Sequence, residues 1–333
     1  MAKQKMYRAA VIGCGNIGAA VGNYNKAVQP GTHAGAYQKH KRTTLVALVE
    51  NNIERHAFLK KNFPKVQLFA DPEQMFKEIK PDVVSIATPT ALHYNLVLMA
   101  ARYKTSAILC EKPIAYTIPE AEKMIAACKK SNSVLFINHQ RRYDPLLNDW
   151  SQKIKKGFLG APFQATANYY NGFFNAATHL IDLLRMFLGE PVRVIAKYNE
   201  TTSSQENDPN IDGMMFFKNG AVATLQSLSK NYGHFGFSLF GDKGWIGVTN
   251  LGFEVQYRSK VKNANYKGYF ELSKNIKSEG KPRSLIIASV DTVVRCLDGK
   301  LKPYGIGEDG LAVLKILQAF KKSADQSGKE VQV

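Results

Sequence analysis

The chain has 333 residues, 45% of them hydrophobic, which suits roughly two domains of about 150 residues each. No apolar run approaches the ~20 residues that cross a bilayer, so no membrane partner is expected. The net charge of +18 suits nucleic acid, or a phosphorylated cofactor with an anionic substrate. The basic residues are dispersed in short clusters (Lys39 to Arg42, Lys60-Lys61, Lys153 to Lys156) and no nucleic-acid module is recognisable, so a nucleic-acid partner is not expected. Cys14, Cys110, Cys128 and Cys296 are scattered without metal-ligand spacing, which points to a reduced, cytoplasmic protein with no metal. The start leads directly into Ala9–Gly13, too short for a signal-peptide core, which reads as a first strand.

From Tyr7 to about Tyr143, apolar runs at Ala9–Ile12, Leu45–Val49, Val83–Ala87, Ala107–Leu109 and Val134–Ile137 alternate with helical segments at Ile53–Asn62, Glu73–Glu78, Leu92–Ala101 and Pro119–Lys130. Strands alternating with helices predict an α/β, doubly wound parallel sheet. Asn23 to Thr32 interrupts the first helix region before Ala34–His40 and reads as a loop insertion near the cofactor entrance. After Pro145 the strands lengthen: Phe163–Tyr170, Val192–Tyr198, Met214–Phe217, Ala221–Ser227, Phe235–Phe240, Trp245–Val248 and Phe253–Tyr257. Turns such as Asn219-Gly220 separate many of them, predicting a mostly antiparallel α+β half. One helix, Thr178–Leu188, interrupts the strands, and a last helix spans Glu308–Ala324. Thr201–Asn210, polar with an Asp-Pro step, reads as a mobile loop. The expected domains are residues 1–143 and 144–333, with helix 308–324 able to pack back on the first.

Gly13-Cys-Gly15-Asn16-Ile17-Gly18 directly follows the first strand. Glycines at this spacing permit a tight turn, close approach of a diphosphate and close helix–strand packing. Glu50, at the end of the second strand, stands where a carboxylate accepts from the adenosine ribose hydroxyls; the alternative is a solvated strand-end Glu. Its charge repels a 2′-phosphate, so NAD is expected rather than NADP. Thr88-Pro89 ends the strand at Val83–Ala87, and its backbone suits ribose and diphosphate contact. His93 opens the next helix, either as a ligand contact or as a packing residue. Cys110-Glu111-Lys112-Pro113 ends a buried strand, where proline stops the ladder and holds Lys112 at the carboxyl end of the sheet. In the second half, His179 opens a helix among polar neighbours. It is either a structural imidazole or a base for the proton of an alcohol. Asp182, one turn on, either orients it or is a solvated or capping group.

In this order the glycine fingerprint, Ala87-Thr-Pro-Thr-Ala-Leu-His93, Cys110-Glu-Lys-Pro113 and Thr178-His-Leu-Ile-Asp182 resemble the Gfo/Idh/MocA family of NAD(P)-dependent oxidoreductases. Gly241-Asp-Lys-Gly244 and the tail extend the likeness over almost the whole chain. The resemblance implies a Rossmann domain followed by an open antiparallel sheet that often mediates homodimers or homotetramers. It implies hydride transfer between nicotinamide and a sugar or cyclitol carbon bearing a hydroxyl. Lys112 would then hydrogen-bond the reacting oxygen, and His179 would be the acid/base. The Lys–Pro bond is often cis in this family. Glu111, beside Lys112, belongs with the expected cofactor contacts, and Asn175, Thr178, Tyr143, Tyr170 and Arg142 with the substrate contacts.

One departure bears on mechanism. Many members carry aspartate four residues before the histidine, where this chain has Asn175. An amide cannot stabilise imidazolium as a charge, which would leave His179 less basic or shift proton transfer toward Lys112. The competing readings are a glycosidase using transient oxidation by bound NAD, and a non-catalytic NAD-binding regulator.

Overall fold

The computed structural model describes residues 5–20, 26–203 and 206–333. The chain forms two compact units, Met1–Tyr143 with Arg283–Leu314, and Asp144–Pro282 with Lys315–Val333.

The first unit contains β1 (Tyr7–Ile12), α1 (His33–Lys39), β2 (Thr43–Val49), α2 (His56–Asn62), β3 (Gln67–Phe69), α3 (Pro72–Ile79), β4 (Val83–Ile86), α4 (His93–Arg102), β5 (Ala107–Cys110), α5 (Ile118–Ser131) and β6 (Val134–Ile137). Among the described residues six strands pair in the order β3-β2-β1-β4-β5-β6, all parallel. Every residue of β4 and β5 is buried, as helices on both faces of a parallel sheet require. The order reverses at β1, between β2 and β4, and that is where a doubly wound sheet opens a crevice at its carboxyl edge. β3 is three residues long and the sequence pattern does not announce it, because Gln67 and Leu68 give it no buried alternation.

Part of the interruption expected at Asn23–Thr32, residues 23–25, lies outside the described residues. The flanks show how it is accommodated. The N–H groups of Gly18, Ala19 and Ala20 all donate to Gly15 O at 3.1 Å. His33 N–H then donates to Ile17 O (3.0 Å) and Ala34 N–H to Gly18 O (2.9 Å). In an unbroken helix those carbonyls receive the N–H four positions on; here it comes from sixteen on. Twelve extra residues are therefore let in between Ala20 and His33, and α1 completes the turn begun at the glycines. Thr32 caps α1 by accepting from Gly35 N–H. Without these twelve, Glu50 stands about 20 residues beyond Gly18, the ordinary fingerprint spacing.

The second unit begins with α6 (Pro145–Lys155), capped by Asp144, whose Oδ1 accepts from Leu146 and Leu147 N–H. There follow β7 (Pro162–Tyr170), α7 (Thr178–Leu188), β8 (Pro191–Tyr198), β9 (Ile211–Phe217), β10 (Val222–Leu228), β11 (Gly236–Gly241), β12 (Gly244–Thr249), β13 (Glu254–Lys262), β14 (Phe270–Leu272) and β15 (Lys277–Gly280). The chain ends in α8 (Leu285–Leu297), α9 (Gly307–Asp325) and β16 (Val331–Gln332). Among the described residues the sheet of ten strands runs β14-β13-β12-β11-β7-β10-β9-β8-β16, with β15 on β13. Among the described residues of this sheet only the central β7–β10 pair is parallel. Ala165, Ala167 and Tyr169 of β7 are buried, while Thr166, Asn168 and Tyr170 on the opposite face are partly exposed.

Neither α6 nor α8 was expected. The stripe Leu147, Trp150, Ile154 in α6 has helical spacing, but it is short and leads into a stretch dominated by strands. α8 is rich in β-branched residues, among them Ile286, Val290, Val293 and Val294, and their burial overrides that propensity. The stretch Arg283–Leu314 also belongs to the first unit, so the second domain is not the single segment 144–333.

Candidate active site

A cleft of about 430 Å³ lies at the carboxyl ends of β1, β2 and β4, walled by Gly13, Gly15, Glu50, Asn51, Thr88 and Pro89 among others. The three glycines are needed for three different reasons. Gly13 has φ +86°, and a Cβ there would lie 2.8 Å from Ala87 O. At Gly18 a Cβ would meet Gly13 O at 1.9 Å. Gly15 would meet nothing within 4 Å, so its bare backbone faces open space where a diphosphate can approach. Asn16 is exposed and Ile17 half-buried on the same turn. Cys14 between the glycines is buried, and burial, reinforced by the charge of Glu50, pushes its thiol up to about 12.

Glu50 is not a solvated strand end. Its Oε2 accepts from Cys14 N–H at 3.2 Å and its Oε1 from Asn52 N–H at 3.0 Å, which fixes the carboxylate in the cleft wall. Arg55 stands beside it, with Nε 4.0 Å from Oε2 and Nη2 donating to Cys14 O at 2.7 Å. Thr88 Oγ1 is buried without a protein hydrogen-bond partner, although Thr88 lines the cleft. An open glycine backbone, a fixed carboxylate and an unsatisfied hydroxyl on one cleft are what a dinucleotide uses.

Lys112 follows β5 on a cis Lys112–Pro113 bond and is half-buried. Glu111 before it is buried and turned inward: Oε1 accepts from His33 Nε2 (2.9 Å) and Asn138 Nδ2 (2.6 Å). His93 is buried at 0% exposure, its ring nitrogens each 3.0 Å from Thr88 O and Pro113 O, so it ties the loop after β4 to the turn after β5. Burial pushes its pKa below the usual histidine range. The structure thus gives His93 and Glu111 internal partners, and neither lines the cleft. Tyr143 is also buried, its hydroxyl 2.8 Å from Ile137 O and 2.7 Å from Gly305 O. Arg142 lies 3.5 Å from Asp309 and is only 11% exposed.

In the second unit Tyr170 closes β7, half-buried. Phe173–Ala177 forms a π-helical turn that runs into α7, a widening often found at functional sites. Asn175 is exposed on that turn and donates from Nδ2 to Asn171 O at 3.0 Å. Thr178 is fully buried, His179 half-buried. Asp182 is buried 3.7 Å from Arg185, which also binds Glu190 at 2.6 Å, so it is not a solvated group.

The loop expected to be mobile holds this segment. Residues 204–205 lie outside the described residues. Of the rest, Asp208 accepts from Phe174 N–H (2.8 Å, Oδ1) and Asn175 N–H (2.9 Å, Oδ2). Gly172, at φ +92°, admits that carboxylate; a Cβ there would meet Asp208 Oδ2 at 2.2 Å. Asn210 Nδ2 donates to Thr202 O, and Thr202 Oγ1 lies 2.6 Å from Ser227 Oγ. Sequence reasoning missed Asp208, His33 and Asn138. The step Asn171-Gly172 was the available signal for the first; the other two carried none.

A sheet in this order, with a glycine turn after β1 and a carboxylate after β2, defines a dinucleotide-binding protein. Residues 7–139 match the family model described as an oxidoreductase family with an NAD-binding Rossmann fold, and residues 165–247 match the Gfo/Idh/MocA C-terminal domain. The chain belongs to the Gfo/Idh/MocA family of oxidoreductases. It is 23% identical to a D-apiose dehydrogenase of Paraburkholderia graminis, over 99% of this chain and 90% of the relative. It is 22% identical to a myo-inositol 2-dehydrogenase of Thermotoga maritima, over 96% of both. Among solved structures, the WlbA dehydrogenase of Bordetella pertussis, in complex with NADH and UDP-GlcNAcA, aligns with TM-score 0.80 at 20% identity, covering 99% of this chain and 98% of that one. At that identity the likeness establishes the fold.

Proposed function

We propose that the protein is an NAD(H)-dependent dehydrogenase that moves a hydride between nicotinamide and a hydroxyl-bearing carbon of a sugar, cyclitol or nucleotide sugar. The observation that carries this reading is the cleft with Gly15 open, Glu50 fixed and Thr88 Oγ1 unsatisfied, in a chain of this oxidoreductase family. The names of the relatives, dehydrogenases of apiose and inositol, support the substrate class.

Gly13, Gly15 and Gly18 with Asn16 and Ile17 would hold the diphosphate, and Glu50, Thr88 and Pro89 the ribose. NAD, when bound, supplies the hydride acceptor. The Lys112 ammonium donates a hydrogen bond to the reacting oxygen and stabilises its developing charge. His179 accepts the hydroxyl proton as the hydride leaves. Asn175 and Tyr170, exposed or half-buried, contact substrate hydroxyls; Tyr143, whose side chain is buried, binds the backbone of Ile137 and Gly305 instead, and Thr178 is buried beside His179. Homo-oligomers through the open face of the second sheet fit its half-buried Phe216, Val222, Phe240 and Trp245. Four free thiols suit a cytoplasmic location, and among the described residues no helix is long and apolar enough to cross a membrane.

The test is a screen of sugars, cyclitols and nucleotide sugars for NAD-dependent absorbance change, followed by Lys112→Ala. NADH binding is expected to survive while turnover falls by about 100-fold or more; turnover within about twofold of the parent overturns the role of Lys112. Tighter binding of NADPH than NADH overturns the reading of Glu50.

A further inference from the structure

Glu111 sits beside Lys112 yet its carboxylate points away from the cleft, into a buried chain of polar groups that the proposed chemistry does not use. Oε1 accepts from His33 and Asn138, and Oε2 lies 3.4 Å from the backbone N–H of Lys112. Asn138 Oδ1 in turn accepts from Ser289 Oγ of α8 at 2.9 Å. His33, Asn138 and Ser289 are each 0% exposed. His33 opens α1, and its own N–H is the one bonded to Ile17 O in the glycine turn. One buried path therefore runs from the diphosphate turn through His33 to Glu111 and the lysine.

A buried carboxylate is costly unless it is hydrogen-bonded and paired. Burial acts to raise the Glu111 pKa, but the His33 bond and charge, the Asn138 bond and the charge of Lys112 outweigh it, and the net direction is down. The titratable groups around Glu111 are His33 from α1, His93 from α4, Cys110 before it and Lys112 after it. The Glu111 carboxylate thus stays charged next to Lys112 and outside the lining of the cleft.

We propose that Glu111 is a positioning residue for Lys112, fixed by His33 and Asn138, which holds the lysine turn and keeps its ammonium charged while linking it to the glycine turn. This rests on the proposed role of Lys112 and differs from the expectation that Glu111 contacts the cofactor. His33 is correspondingly a positioning residue that reports the state of the glycine turn to the lysine.

The test uses the full chain and three variants, Glu111→Gln, His33→Gln and Ser289→Ala. Lys112 is followed by competitive labelling with acetic anhydride across pH, read by peptide mass spectrometry, and NADH by nicotinamide fluorescence; neither needs a substrate. In Glu111→Gln the Lys112 pKa is expected to fall, because an opposite charge nearby has been removed. NADH affinity should stay within about threefold and turnover fall about tenfold. His33→Gln should shift Lys112 in the same direction, and the double variant should be no worse than Glu111→Gln alone, as members of one path are non-additive. Ser289→Ala, which removes only the outer bond, gives the smallest shift and covers the case in which Glu111→Gln does not fold. NADH affinity falling in step with turnover at constant Lys112 reactivity would make Glu111 a cofactor ligand and overturn the proposal. So would unchanged Lys112 reactivity in both His33→Gln and Ser289→Ala. If no sugar is turned over, the reading of function fails while the labelling still decides this one.

Discussion

The cofactor cleft and the start of α7 are built in opposite ways. The cleft is made of backbone: glycines at the end of β1, a carboxylate one strand along and a Thr-Pro turn after β4, all within a few residues of a strand end. The segment Phe173–His179 is made by a remote side chain, the Asp208 carboxylate, which arrives more than thirty positions later and takes two N–H groups of the turn. A site made from strand ends is fixed as soon as its sheet forms. A site held by a loop depends on each bond of that loop, so the two should respond differently to single substitutions.

The sharpest contrast comes from Gly18→Ala. Its methyl would run into Gly13 O, and backbone cannot step aside, so unfolding by denaturant should show a loss of about 3 kcal/mol. A loss below about 0.5 kcal/mol would mean the glycine turn is not a rigid frame. Next, Asp208→Ala leaves two N–H groups without their acceptor. The expected cost is about 1–2 kcal/mol, as for the loss of a helix cap, with turnover falling and NADH affinity unchanged. An equal fall in NADH affinity would erase the distinction between the two sites. Gly15→Ala should leave stability within about 0.5 kcal/mol, since its methyl meets nothing in the protein, while NADH affinity falls about tenfold.

The smallest effect concerns pH. Burial depresses the folded-state pKa of His93, so its contribution to stability is complete above about pH 6.5, the unfolded value, and is lost as pH falls through the folded value. Between pH 7 and 5 the thermal midpoint of the parent should therefore fall more steeply than that of His93→Gln. Parallel curves would show that His93 titrates alike in both states.

Much of this was legible in the residues. Val134–Ile137 and Thr178–Leu188 have the bounds that their patterns predict, and α9 differs from its expected span by one residue at each end. Such elements are announced locally, by apolar runs, by period and by Gly189 closing α7 at φ +91°. Glu50 was legible too, despite its displaced spacing, because the interruption that displaces it is itself readable as a Pro-Gly stretch. The polar loop 201–210 was not, since composition gives mobility and anchorage the same look; Thr202 is anchored by Ser227 and Asp208 by Phe174 and Asn175, partners far outside the loop.

The sequence by itself determined the cofactor edge: the sheet, its glycine turn and the lysine after β5, because backbone geometry at strand ends depends on neighbours in the chain. Only the tertiary structure decided that Glu111 faces His33 and Asn138 instead of the cleft, and that Asp208 holds the turn of Asn175. The physical reason is the same in both cases. A carboxylate takes its direction from whichever donors the fold brings within hydrogen-bonding distance, and here those donors lie 78, 27, 34 and 33 positions away.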